Sequence, residues 1–158
     1  MSDYNEMRRK FKFGDDLVAE DIYSNFSNIY HNDMTFNQCR FGFSGDNSYA
    51  DFVIYQSNLT SCIFKECYFR NPKFRKKTVF RNCTFIGCDF KDIELEDSIF
   101  ENCYFIDCSM DFLKSGSGDG KLLKCHLQNT KLRLSFFDEY KIINDESYEL
   151  VVQDVIYA

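Results

Sequence analysis

The chain has 158 residues and a formal net charge of −6, and it contains 18 Phe and 8 Cys. A single Pro and the lack of a long Ser- or Pro-rich tract exclude a disordered half. No apolar run is long enough to span a bilayer, and no signal-peptide core follows the basic start of the chain. The composition therefore predicts one cytoplasmic domain with no membrane partner.

The first segment, residues 1–20, is polar and is predicted to form a lead-in or cap. Its basic residues are Arg8, Arg9, Lys10 and Lys12. A spacing of five residues then begins in degraded form at Phe26, His31 and Phe36. We place the repeat region at residues 21–137 and assign residues 138–158 to a separate terminal segment.

Within the repeat region, a large residue recurs about every fifth position, usually with a small residue two positions before it. These large residues are Leu59, Phe64, Phe69, Phe74, Phe80, Phe85, Phe90, Leu95, Phe100, Phe105 and Met110, then Leu122, Leu127, Leu132 and Phe137. Neither the 3.6-residue period of a helix nor the alternation of a long strand gives this spacing. The chain must turn a corner about once per repeat, which predicts a solenoid.

The sequence separations between cysteines indicate the length of one coil. They form two series, Cys62, Cys83, Cys103 and Cys125, and Cys67, Cys88 and Cys108. Separations of 20 to 22 positions predict four pentapeptides per coil, so each series stacks as a column. Extra residues are expected at the Lys76–Lys77 corner and in a Gly- and Ser-rich loop at 115–120. Cys39 is expected to extend the first column by one coil.

This pattern resembles the pentapeptide repeat family over Ser24–Phe137, in particular its Cys- and Phe-rich, quinolone-resistance members that protect DNA gyrase. The resemblance implies an all-β fold, a right-handed quadrilateral β-helix with short non-repeat termini. It also implies that the large and the small residue of each repeat point inward. The implied structural core comprises Phe64, Phe69, Phe80, Phe85, Phe90, Phe100, Phe105, Cys62, Cys67, Cys83, Cys88, Cys103 and Cys108.

The cysteines are expected to be reduced and buried, because a free Cys behaves as a small hydrophobe. Two alternatives remain open. Zinc needs ligands that converge tetrahedrally, whereas Cys62 and Cys67 would lie on different sides of a coil. Disulfides between stacked cysteines suit the coil spacing of about 4.8 Å, but parallel side chains suit the bond poorly. We therefore expect no metal and no other cofactor.

Apolar residues at outward positions predict a contact surface for a partner or a second copy. Ile63, Ile86, Tyr104 and Ile106 flank the column of Phe64, Phe85 and Phe105, and Val79 and Ile99 are expected on the adjoining side. Strand propensity alone explains some of them. A contiguous group on stacked strands nevertheless favours an interface.

Charged residues at outward positions suggest a second surface. Opposite charges are expected to stack as Lys73 over Glu94, Arg75 over Glu96 and Lys76 over Asp97, with Lys114 continuing the first pair. Such pairs contribute about 0.2 to 1 kcal/mol each. The candidate acidic face comprises Asp89, Asp92, Glu101, Asp107 and Asp111.

No nucleophile with a base, paired carboxylates or metal-ligand spacing stands out, so the chain is not predicted to be an enzyme. The stretch 116–121 lacks the spacing of a phosphate-binding loop. His126 is expected to point outward, and His31 to be a hydrogen-bonded core residue.

These observations predict a non-catalytic, protein-binding solenoid. The first hypothesis, drawn from the resemblance, is a modulator of a gyrase-like topoisomerase that acts by partial DNA mimicry, with no direct nucleic-acid binding. The alternative is an inhibitor or scaffold that binds an unrelated protein through apolar faces, such as an anti-defence factor of a phage or mobile element. A homodimer is also expected, and residues 138–158 are the predicted cap or dimerisation segment.

Overall fold

A computed structural model describes residues 4–45, 48–113, 120–134 and 150–157. These residues form one helix and 22 strands. In chain order they are α1 Tyr4–Phe13, β1 Leu17–Val18, β2 Asp21–Ile22, β3 Ser24–Ser27, β4 Tyr30–Asn32, β5 Thr35–Asn37, β6 Arg40–Phe41, β7 Phe52–Tyr55, β8 Asn58–Thr60, β9 Ile63–Lys65, β10 Tyr68–Arg70, β11 Lys73–Arg75, β12 Val79–Arg81, β13 Thr84–Ile86, β14 Asp89–Leu95, β15 Ile99–Glu101, β16 Tyr104–Ile106, β17 Ser109–Phe112, β18 Gly120–Leu123, β19 His126–Gln128, β20 Lys131–Leu134, β21 Leu150–Gln153 and β22 Ile156–Tyr157. Among the described residues, no helix is both long and apolar enough to cross a membrane.

The strands of successive coils pair in parallel and build three sheets. One side of the coil is a seven-stranded sheet in the order β1-β5-β9-β13-β16-β19-β22, and another is a six-stranded sheet in the order β21-β18-β15-β12-β8-β4. The third sheet, in the order β2-β6-β10-β14-β11-β7-β3, covers the two remaining sides, because β14 continues across the corner between them. Strand β17 pairs with β14, and β20 with β17. The predicted right-handed quadrilateral β-helix is confirmed.

The corners are made by residues with positive φ. Ser61, Asn82 and Asn102 occupy one corner on successive coils with φ between 52° and 55°. Asn tolerates this left-handed conformation better than most residues. The Asn side chains of successive coils also bind each other, since Asn102 Nδ2 donates to Asn82 Oδ1 at 2.5 Å. At the corner of the expected extra residue, both Lys76 and Lys77 have positive φ.

The core is built from columns of stacked aromatic rings. In the seven-stranded sheet, the ring centroids of Phe64 and Phe85 lie 4.6 Å apart, and those of Phe85 and Phe105 lie 4.8 Å apart. On the next side, Phe69 stacks on Phe90 at 4.4 Å. These rings are at most 1% exposed, as are the other large core side chains such as Phe41 and Phe100. Because the strands of successive coils pair in parallel, each repeat position lies directly over the same position of the neighbouring coil. Identical residues therefore stack face to face.

All eight cysteines are free and buried, each at the small inward position of its repeat. Backbone hydrogen bonds join Cys62, Cys83 and Cys103 to the strands one coil further along, which places them in one column as predicted. Cys39 lies instead below Cys67 in the second column, because the Tyr68 amide donates to its carbonyl. The sequence prediction for Cys39 was wrong, since the chain leaves the coil between β6 and β7, where Phe43 pairs with Tyr49.

Residues 4–13 form a helix that covers the first coil, rather than a merely polar lead-in. Met7 and Phe11, four residues apart and thus on one helix face, are each 1% exposed. The Phe11 ring contacts that of Phe26 at 4.4 Å. Gly14 ends the helix with φ of +80°, and the Asp15 amide donates to the Lys10 carbonyl across the turn.

The solenoid also extends beyond both expected boundaries. Leu17–Val18 already pairs with β5, so the first coil begins before residue 21. At the other end, Leu150–Gln153 pairs with β18 and Ile156–Tyr157 pairs with β19. The tail therefore returns to the coil, instead of leaving the repeat for good at residue 138. The expected loop at 115–119 and the repeat position Phe137 lie outside the described residues.

Candidate functional site

Exposed apolar side chains concentrate on the outside of the seven-stranded sheet, which we call the apolar face. Among the described residues, five strand residues present an exposed large apolar side chain at an outward position, and four of these five lie on this sheet. They are Val18 (62% exposed), Ile63 (43%), Tyr104 (43%) and Ile156 (55%). The fifth, Tyr30, lies on β4 of the six-stranded sheet. Tyr157 is also exposed, but it occupies the inward position of the last strand, in register with Leu127. One side of the solenoid is thus distinctly more apolar than the others.

The strand register arranges these residues in two columns along the solenoid axis. The first column is Thr35, Ile63, Thr84, Tyr104, His126 and Ile156, and the second is Val18, Asn37, Lys65, Ile86, Ile106 and Gln128. The rings of Tyr104 and His126 stack with centroids 4.5 Å apart. Lys65 is the only Lys, Arg, Asp or Glu within these seven strands, all of which are described. The surface is therefore almost uncharged as well as apolar.

The six-residue interface expected from the sequence is divided between two sides of the coil. Ile63, Ile86, Tyr104 and Ile106 lie together on the apolar face. Val79 and Ile99 face each other on β12 and β15 of the six-stranded sheet, around the corner. Both are half-buried, and polar Asn58 and Lys121 flank them in their column.

The five acidic residues do not form one face. Asp89 and Asp111 lie on β14 and β17, Glu101 lies on β15 of another sheet, and Asp92 and Asp107 are corner residues. Two of the five are neutralised locally: Arg133 binds both carboxylate oxygens of the 5% exposed Asp111 at 2.6 and 3.0 Å, and Arg81 pairs with Glu101 at 2.7 Å. Burial and the nearby Asp111 raise the pKa of Asp89.

The charge ladder exists, and the expected pair of Arg75 and Glu96 is confirmed, but other partners differ from those expected. Arg75 reaches both Glu94, at 3.4 Å, and Glu96, at 3.5 Å. Lys73 is opposite Glu94 in the strand register, yet its amine pairs with Asp51 of the preceding coil at 3.3 Å. The pair expected between Lys76 and Asp97 is also wrong, because the extra corner residue places Lys77 above Asp97. Lys114 lies outside the described residues.

The buried thiols are held by backbone carbonyls. Cys103, which is not exposed, donates to the carbonyls of Phe80 at 3.3 Å and Glu101 at 3.4 Å. Burial, together with hydrogen bonds to neighbouring thiols, raises the pKa of Cys103 well above its usual value. Because the thiolate is the reactive and metal-binding form, this arrangement favours inert core groups. The described residues contain no group of three or more His, Cys, Asp or Glu side chains that fits a metal.

The two histidines occupy opposite environments. His31 is 5% exposed and donates from Nε2 to the carbonyl of Phe11, which ties the first coil to α1. Burial lowers its pKa. His126 is half-buried on the apolar face, where it contributes a flat ring surface.

One surface pocket of about 390 Å³ lies beside the apolar face, at the corner after β13 and β16. Its lining includes Asp89, Asp107, Ser109 and Lys131, together with the buried residues Cys88 and Cys108. No histidine lies in this lining, so Ser109 has no imidazole base there.

Sequence reasoning missed Val18 and Ile156, the end residues of the apolar face. Val18 precedes the part of the chain where the repeat is recognisable. Ile156 follows a stretch in which the five-residue spacing is lost, so counting repeats in the sequence could not assign it to a column. Met7 and Phe11 had a detectable signal, the four-residue apolar spacing of an amphipathic helix.

Comparisons with known proteins identify the repeat. The family model for pentapeptide repeats, in nine copies, matches residues 59–112. No curated protein matches the chain. Two trypsin-treated variants of QnrB1, a plasmid-mediated fluoroquinolone resistance protein, are 15% identical, with 92% of this chain and 90% of each QnrB1 chain covered, at TM-scores of 0.30 and 0.29. Full-length QnrB1 is 14% identical over 90% of this chain and 92% of its own, at a TM-score of 0.20.

Proposed function

We propose that this pentapeptide-repeat protein is a non-catalytic binding solenoid whose apolar face contacts another protein. The observation that carries the proposal is the concentration of exposed apolar side chains on one of its sides, which holds four of the five at outward strand positions among the described residues. Scattered apolar residues are ordinary on protein surfaces, whereas a contiguous patch is typical of interaction sites. The stacked pair of Tyr104 and His126 adds a rigid aromatic element of the kind that is enriched at interfaces.

The solenoid supports such binding because it is rigid before it meets a partner. Every strand of the apolar face is held by parallel pairing to its neighbours, and its inward residues are locked in ring stacks. A surface that is already ordered loses little conformational entropy on association. Binding energy then comes from burying the outward isoleucines and the Tyr104 ring.

A second candidate function is partial mimicry of a DNA duplex toward a topoisomerase-like enzyme. The net charge of −6 favours it. The distribution of the acids argues against it, because Asp111 and Glu101 are paired with arginines and the five candidate acids lie on different sides. The apolar alternative, an unrelated protein partner such as a defence-system component, is therefore the preferred form of the proposal.

Salt dependence and two matched double variants test the proposal. Protein captured from a host extract on the immobilised wild type is compared with that on Ile86→Lys/Ile106→Lys and on Val79→Lys/Ile99→Lys. Each pair is adjacent in its column and adds the same charge. If docking is apolar, one partner is captured by the wild type and by Val79→Lys/Ile99→Lys but not by Ile86→Lys/Ile106→Lys. Its capture by the wild type then persists as the salt concentration rises. Capture that falls steeply with salt, and equally in both variants, would instead support charge mimicry.

A further inference from the structure

The apolar face is a strip rather than a broad plane. Its seven strands, spaced about 4.8 Å apart, span about 29 Å along the solenoid axis. Each strand contributes at most three residues, or about 10 Å across the strip. The available surface is therefore about 300 Å² in projection.

This area is too small for a stable dimer formed through the strip alone. Stable protein interfaces bury about 800 Å² on each partner. A second copy, whose matching strip is equally narrow and flat, would leave most of that requirement unmet. The shape of the strip instead matches a long and narrow element.

An α-helix has the matching dimensions. A helix of about 20 residues is about 30 Å long and about 10 Å wide with its side chains. Its pitch of about 5.4 Å is close to the strand spacing of about 4.8 Å, so successive helical turns meet successive coils. The two outward columns, one through Ile63 and Tyr104 and the other through Ile86 and Ile106, lie on either side of the inward residues Phe64, Phe85 and Phe105, so the apolar stripe of such a helix fits between them.

The borders of the strip carry the complementary charge signal. One corner row presents the exposed acids Glu66 and Asp107, and the opposite corner row presents the exposed acids Asp33 and Asp154. Against these four carboxylates the same two rows contain one basic residue, Lys124. A surface with an apolar centre and acidic borders is complementary to a helix whose apolar stripe has basic residues on both sides.

We propose that the apolar face binds a basic amphipathic helix of the partner protein, laid along the solenoid axis with its apolar stripe between the two columns. This inference rests on the proposed function and specifies its partner class. The borders give selectivity: lysines or arginines beside the stripe face Glu66 and Asp107 on one side and Asp33 and Asp154 on the other. A helix with acidic borders meets like charges on both sides.

The test uses synthetic peptides of about 20 residues. One has a leucine stripe with Lys borders, a second replaces those Lys by Glu, and a third keeps the Lys composition but carries central prolines that prevent a helix. Binding of each dye-labelled peptide to the full chain is measured by fluorescence anisotropy at about 0.15 M salt. The Lys-bordered helix is expected to bind at least about tenfold more tightly than either control.

The two double variants locate the binding. Ile86→Lys/Ile106→Lys is expected to weaken the Lys-bordered peptide about tenfold or more, whereas Val79→Lys/Ile99→Lys changes its affinity less than about threefold. An equal loss in both variants shows attraction by net charge alone and overturns the inference. So does equal binding of the proline peptide. If host-protein capture still depends on Ile86 and Ile106 while the helical peptide shows no preference, the proposed function stands and only the helix is wrong.

Discussion

The rings of Phe64 and Phe85 stack one coil apart, with centroids 4.6 Å apart and planes within 7°. Phe85 stacks equally on Phe105 at 4.8 Å, so it is covered on both ring faces. A ring in the middle of a continuous stack has no neighbour that is free to move into its place.

The Phe85→Ala variant is therefore expected to lose about 3 to 5 kcal/mol of unfolding free energy, through lost burial and a cavity that cannot close. Urea denaturation followed by circular dichroism measures the change. The Ile63→Ala variant is the control, because Ile63 lies on the neighbouring strand but is 43% exposed, and it is expected to lose less than about 1 kcal/mol. Similar losses in the two variants would contradict the observed register.

The helix α1 contains two Phe residues that differ in exposure, which provides a second pair of matched variants. Phe11 is 1% exposed and closes the first coil, whereas Phe13, two residues later, is 71% exposed. Phe11→Ala is expected to cost about 3 to 5 kcal/mol of unfolding free energy, and Phe13→Ala less than about 0.5 kcal/mol. Thermal melts of both variants check this. An unchanged melting temperature for Phe11→Ala would show that α1 is not needed as a cap.

The cysteines are expected to react with a thiol reagent slowly in the native protein and rapidly after denaturation. All eight cysteine side chains are at most 4% exposed, so a reagent reaches the sulfur atoms only when the coil opens. Absorbance at the wavelength of the released chromophore gives both rates. Fast stoichiometric labelling of native protein, or zinc that co-purifies in stoichiometric amount, would rule out inert core thiols.

His31 predicts a pH dependence of stability. Because burial lowers its folded pKa, the unfolded chain takes up this proton at a higher pH than the folded chain does. The free energy of unfolding is therefore fully retained above about pH 6.5, the unfolded value, and falls as the pH drops below it.

The His31→Leu variant isolates this effect, since Leu59 fills the equivalent position one coil further along. Its denaturation midpoint is expected to vary less than that of the wild type between about pH 7 and pH 5. His126→Leu, at an outward position, should retain the wild-type dependence. If His31→Leu and the wild type have parallel pH profiles, another group is responsible.

Much of the fold was predictable because a β-helix repeats one local rule. Stacking requires the same residue class at the same position in every coil, so Phe64, Phe85 and Phe105 report the register directly in the sequence. The candidate site was only partly predictable. Outward residues are not constrained by stacking. The sequence placed Ile63 and Tyr104 outward and Val79 on the adjoining side, but it did not show how exposed each of them is.

The sequence by itself determined the five-residue period and the stacking of residues about 20 positions apart, because core packing requires the same residue class in each coil. The right hand, the four sides and the inward direction of the large residues were implied by the resemblance to the pentapeptide repeat family. Tertiary structure decided which coils lie next to each other where the repeat is interrupted. It placed Cys39 in the column of Cys67, brought Ile156 back onto the apolar face and paired Asp111 with Arg133. Each of these depends on contacts across a chain segment whose length does not follow the five-residue rule, and such contacts are formed only when the whole coil closes.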